Sequence, residues 1–150
     1  MISTIQGLLK KCTYDLEDNR AGREEALRTA VAVLLMEVAR SEDGVSDEER
    51  QAIHRIIEAQ HSVSPEKARA IAAAAEREAE QATSLHPFTR LVVDECSLEE
   101  RTEVIRMLWE IGFSDGNAGA HEQHLVRKVA GLLHVPHSDF IRMKLQQKTS

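Results

Sequence analysis

LLMEVARSEDGVSDEERQAIHRII, residues 34–57, decides the fold, because the chain writes its plan twice. MLWEIGFSDGNAGAHEQHLVRKVA, residues 107–130, lies 73 positions further on and follows the same order: an apolar helical stretch, an acidic turn with a glycine, then a second helical stretch. Glu37, Glu42 and Glu49 recur as Glu110, Asp115 and Glu122. Acids alone are weak evidence of duplication in a chain where 25 of 150 residues are Asp or Glu. The matched apolar positions are stronger. Leu34, Leu35, Met36 and Val38 fall on Met107, Leu108, Trp109 and Ile111, and Ile53 and Ile56 fall on Val126 and Val129, so the acids lie within equivalent helical frameworks.

Outward from this pair the pattern continues as helix after helix. Leu27, Val31, Leu34, Leu35 and Val38 recur at three-and-four spacing and predict a helix over residues 23–41, ended by Asp43-Gly44. Ser46-Asp47-Glu48-Glu49 is a capping box, in which the hydroxyl accepts from a free backbone N–H and Glu49 reaches back. Ser64-Pro65 opens an Ala-rich helix, with Pro at the first turn where its missing donor is harmless. Phe88, Leu91, Val92 and Cys96 mark a short buried helix, and Ser97-Leu98-Glu99-Glu100 is a second capping box. The helix that follows is predicted over residues 98–113, the loop over 115–120, and a further helix carries Leu125, Val126, Val129, Leu132 and Leu133 as far as Val135-Pro136. Residues 139–146 close the chain as a last helix. The expectation is an all-α bundle of about seven or eight helices, joined by short loops.

Ile2, Ile5, Leu8 and Leu9, followed by Lys10 and Lys11, predict a short amphipathic helix, and residues 13–22 read as a polar linker. The organisation expected is therefore residues 1–22 as an N-terminal helix and linker, and 23–150 as one helical domain. Few aromatic residues (3%) and abundant Ala, Leu, Glu and Arg favour helix over strand. A net charge of -6 argues against a nucleic-acid partner and suits cations or basic proteins. Cys12 and Cys96 form neither a disulfide framework nor a metal knuckle, which fits a reducing, cytoplasmic setting. The apolar run of residues 30–36 is far shorter than the roughly 20 residues of a membrane span.

The acidic triads admit two readings. Hard divalent cations need several oxygen ligands around one point, and a helix–loop–helix corner can converge such dispersed carboxylates. Against this, Glu49 is a capping partner, Glu122 is an acid favoured by the helix dipole, and Glu37 is an ordinary solvated helix residue. Neither loop has the alternating ligands and distal Glu of an EF-hand. His121 and His124 are three apart, not the four of the zinc-protease signature. His121, beside Glu122, is the better metal candidate, and His124 reads as a surface imidazole. Cys96 follows Asp94 and Glu95, whose charges oppose thiolate formation, and no phosphate loop or nucleophile elbow is present. Trp109 reads as core.

Several segments together resemble the TerB family, the helical domains associated with tellurite resistance, and within it the stand-alone bacterial branch. They are residues 35–42 with 45–50, Leu85-His86-Pro87-Phe88-Thr89-Arg90, Glu99-Glu100-Arg101, residues 108–116, His121-Glu122 and residues 132–140. The resemblance implies a TerB-like bundle with a pseudo-twofold internal repeat, similar also to the N-terminal domain of DjlA-type co-chaperones. It implies that Glu37, Glu42, Glu49, Glu110, Asp115 and Glu122, with His121 adjoining, form a metal-binding surface for a divalent cation: calcium, magnesium, manganese or zinc. Whether Glu42 or Asp43 is the first-loop ligand stays open. The implied function is a non-catalytic binding module linked to tellurite or another stress, with a protein partner and with a homodimer among its open assemblies. The alternative is a plain helical protein–protein interaction module whose acids are caps and solvated surface.

Overall fold

The computed structural model describes residues 16–40, 44–116 and 118–148, and among them the chain forms seven α-helices with no sheet. They are α1 (Leu16–Ala39), α2 (Asp47–His61), α3 (Pro65–Gln81), α4 (His86–Glu95), α5 (Leu98–Gly112), α6 (Ala120–Leu132) and α7 (His137–Lys148). The all-α expectation holds, and the starts of α2, α3 and α5 fall where their Ser caps place them. α1 differs at its start. Helix begins at Leu16, so residues 16–22, read as linker, are the first turns of the longest helix, and Gly22 is absorbed within it. The amphipathic helix expected over Ile2 to Lys11 lies outside the described residues.

α1 is the central element. From Ala30 to Ala39 every residue but Glu37 is buried, on all sides of the helix. A helix apolar all round must be enclosed, and this one packs against α2, α3, α4, α5 and α6. Its most extensive neighbour is α3, which turns Ala68, Ala72, Ala75 and Ala79 inward at three-and-four spacing. With only methyl groups in the way, the two backbones approach closely.

The repeat is visible in the packing. α1 lies on α2 within the first copy as α5 lies on α6 within the second, and across the copies α1 meets α6 while α2 meets α5. Each first helix thus contacts both second helices, as a pseudo-twofold relation requires. α7 follows α6 and packs on α5 as α3 follows α2 and packs on α1. It seals α5: the ring centroids of Trp109 and Phe140 are 5.2 Å apart, and the Trp109 indole N–H donates to the Phe140 carbonyl at 3.3 Å. Arg101 ties the start of α5 to the end of α6, its guanidinium donating to the Leu133 carbonyl at 2.8 Å.

Candidate functional site

The two helix–loop–helix corners hold the candidate acids, and local chemistry disposes of them one by one. At Glu37, near the end of α1, the carboxylate accepts from Arg40 at 3.1 Å, and the same guanidinium donates to the Ala79 carbonyl at 2.8 Å. Its counterpart Glu110 accepts from Arg106 at 2.8 Å, one turn earlier in α5, and Arg106 also bonds Glu103 at 2.6 Å. Both acids are half-buried members of ion pairs. Each has an arginine on its own helix, though the two arginines lie on opposite sides in sequence.

Glu49 is 7% exposed and completes the capping box of α2. The Ser46 hydroxyl accepts from the Glu49 backbone N–H at 3.2 Å, and Glu49 Oε1 accepts from the Ser46 N–H at 3.1 Å. Glu122 stands at the same third position of α6, where Gly119 replaces Ser46 as the residue before the helix. Its carboxylate reaches back to the Gly119 backbone N–H. The second copy therefore keeps the Glu of the capping box, turned back toward the cap residue, without the hydroxyl. This role escapes a search for Ser or Thr three residues before Glu, but the constant offset that maps Ser46 onto Gly119 carries the signal.

Glu122 is also where the copies meet electrostatically. Its pKa is raised, first by burial, then by the charge of Glu49 and less by that of Asp115, while the Gly119 N–H and His121 oppose the rise. Glu122 Oε2 is buried with no hydrogen-bond partner. Tight packing confines it: a Cβ built on Gly112 would lie 3.7 Å from that oxygen, and one on Gly119 would lie 3.5 Å from Oε1. The structure thus brings Glu49, Asp115 and Glu122 into one electrostatic neighbourhood, with His121 exposed beside them. Glu37 and Glu110 belong to arginine pairs, and Glu42 and Asp43 lie outside the described residues. Among the described residues no group of three or more His, Cys, Asp or Glu side chains is placed to hold a metal ion.

Other candidates take the places expected of them. Cys96 is half-buried, and burial with the charges of Glu100 and Glu95 pushes its thiol up to about 11, so it stays protonated at neutral pH. Trp109 is fully buried. His124 is exposed on α6. No described helix is long and apolar enough to cross a membrane.

One family model, described as "Tellurite resistance protein TerB", matches residues 28–145, which takes in the second half of α1, all of α2 to α6 and most of α7. No curated protein and no solved structure matches the chain.

Proposed function

The chain belongs to the TerB family as a non-catalytic helical module, and on that premise we propose that it acts as a protein–protein interaction module whose repeat acids serve mainly the fold. One observation carries this reading: Glu37, Glu49 and Glu110 each bond a local partner, namely Arg40, the Ser46 N–H and Arg106, and Glu122 turns back toward the Gly119 N–H. Carboxylates committed to caps and ion pairs stabilise helix ends and are poorly free to converge on an ion. The setting we infer is a cytoplasmic response to tellurite or a related stress, after the family's description. The test is a pull-down from the native cell with the wild-type chain and a Glu110→Gln, Asp115→Asn variant. Equal recovery of the same partner supports the reading, and loss of the partner in the variant sinks it.

A second reading is favoured by the unpartnered buried oxygen of Glu122 facing the charges of Glu49 and Asp115. Repelling carboxylates with an unsatisfied oxygen are the chemistry a hard divalent cation relieves. For that role Glu49, Asp115 and Glu122 would have to draw together on one ion, and Glu37 and Glu110 would first have to leave their arginines. Isothermal titration of metal-stripped protein with calcium, magnesium, manganese and zinc decides between the readings. Saturation at one ion per chain, abolished by Glu122→Gln, favours the cation; no heat at millimolar metal leaves the interaction module.

A further inference from the structure

Between α6 and α7 runs an open groove of about 330 Å³ whose character is opposite to that of the chain. The net charge is -6, yet this groove is lined by His124, Arg127 and Lys144, by Gln123, and by the aromatic side chains of Trp109 and Phe140, with no carboxylate among its lining residues. Two other grooves follow the overall charge. One between α5 and α7 carries Glu99, Glu103 and Asp139, and one beside α1 carries Glu24, Glu100 and Glu103.

The cations in the α6/α7 groove are held by neutral groups. Lys144 Nζ sits 5.5 Å from the Trp109 ring centroid and donates to Gln123 Oε1 at 3.0 Å, and the Arg127 guanidinium lies 5.9 Å from the Phe140 ring centroid. Neither forms an ion pair among the described residues, whereas Arg40, Arg50, Arg106 and Arg142 all pair with acids. A guanidinium over an aromatic face keeps its planar fork of N–H donors at the edge, oriented for a carboxylate. Aromatic stacking thus holds the cations in place without neutralising them.

We propose that the α6/α7 groove docks an acidic peptide segment of a partner protein, with an apolar side chain against Ala120 and Ile141 and carboxylates on Arg127 and Lys144. This deepens the interaction-module reading and rests on it. A nucleic acid would run on past the groove and meet repulsion over the rest of a chain of net charge -6, whereas a short acidic segment stays within the basic patch. A peptide suits better than a lone anion because the cations come from both walls. Arg127 stands on α6 and Lys144 projects from α7, so more than one carboxylate is needed to satisfy them. The volume is at the lower end of the roughly 300–1,000 Å³ of ligand pockets, which suits an apolar anchor side chain rather than a large cofactor.

Trp109 is the only tryptophan, so its emission reports on the groove directly. The probe is the blocked peptide acetyl-Glu-Asp-Leu-Phe-Glu-Asp-amide, titrated into the full chain beside its Gln/Asn counterpart. The acidic peptide should give a saturable emission change as carboxylates draw Lys144 from the indole face, and salt should weaken it. An Arg127→Gln, Lys144→Gln variant should bind at least about tenfold more weakly, the scale of one lost charged hydrogen bond. Arg127→Gln alone, at an exposed position, guards against a folding defect, with helicity checked by circular dichroism. Equal binding of the neutral peptide, unchanged binding by both variants, or no saturable change up to millimolar peptide overturns the proposal. In the native-cell pull-down, a partner retained by the double groove variant overturns the groove alone and leaves the interaction module standing. A wild-type chain that retains no partner removes both.

Discussion

Glu122 carries two opposed interactions, and their balance is measurable. Its reach to the Gly119 N–H favours the charged form, while burial and the charges of Glu49 and Asp115 disfavour it more strongly and raise the pKa. A carboxyl group with a raised folded-state pKa holds its proton longer in the native state than in the unfolded chain. Stability from this group is therefore greatest below the ordinary carboxylate value of 4.5 and falls as pH rises through the higher folded-state value. Glu122→Gln should raise the melting temperature at pH 7, and the gain should shrink as pH drops toward 4.5. Thermal melts of both proteins across that range check it, and a gain that grows toward acid pH contradicts the sign. Glu37 and Glu110 instead each form an ion pair with an arginine on the same helix.

At the scale of elements, the two copies of the corner differ chiefly in how the second helix is capped. α2 has a full capping box, and α6 keeps only its Glu at the third position behind a Gly cap. Gly119 has φ -68 and ψ 166, the extended conformation of an ordinary cap residue, and a Cβ there meets only Glu122 Oε1 at ordinary contact distance. Gly119→Ser should therefore restore the missing hydroxyl and stabilise by a few tenths of a kcal/mol, whereas Ser46→Ala should cost about 1 kcal/mol. Urea melts of the two variants test both directions together. The end of α6 shows what a sequence pattern can hide. His134 has φ 57, and the Val135 N–H bonds the Ala130 carbonyl at 3.0 Å, closing the helix with a left-handed residue where glycine is usual. The stop is legible in Val135-Pro136, but the residue that makes the turn is not.

For the whole molecule, stability depends on the enclosure of α1 and on the second copy's closure by α7. Ala72 and Ala75 on α3 lie against α1 with almost no exposure, so Ala75→Leu inserts volume where backbones are close. It should destabilise by about 1–3 kcal/mol. Trp109→Ala removes the largest fully buried side chain and its contacts with Phe113 and Phe140, and should cost about 3–5 kcal/mol. Calorimetric unfolding of each variant measures these losses. A Trp109→Ala protein as stable as wild type would show that α7 does not seal the core.

The helices, their caps and the duplication were legible because each depends on residues within a few positions, or on one constant offset. Ser46, Ser64 and Ser97 mark helix starts wherever they occur, and the 73-residue spacing survives without any knowledge of contacts. The early start of α1 was not legible, because Asp18, Asn19 and Gly22 look like turn residues locally and only the helix built over them overrides that preference. The acids show the same division. Six repeat carboxylates are visible in the sequence, and Glu37 and Glu110 turn to arginines three and four positions away on their own helices, but long-range packing decides that Glu49 raises the pKa of Glu122. The basic groove is wholly tertiary: Arg127 and Lys144 are ordinary helix residues until α6 and α7 set them over Phe140 and Trp109. Sequence alone determined the helical framework, its capping and its repeat, since those follow from local hydrogen bonding and periodicity. Only the tertiary structure decided which charges far apart in sequence meet, because Coulomb interactions depend on distance in space and the chain records only distance along itself.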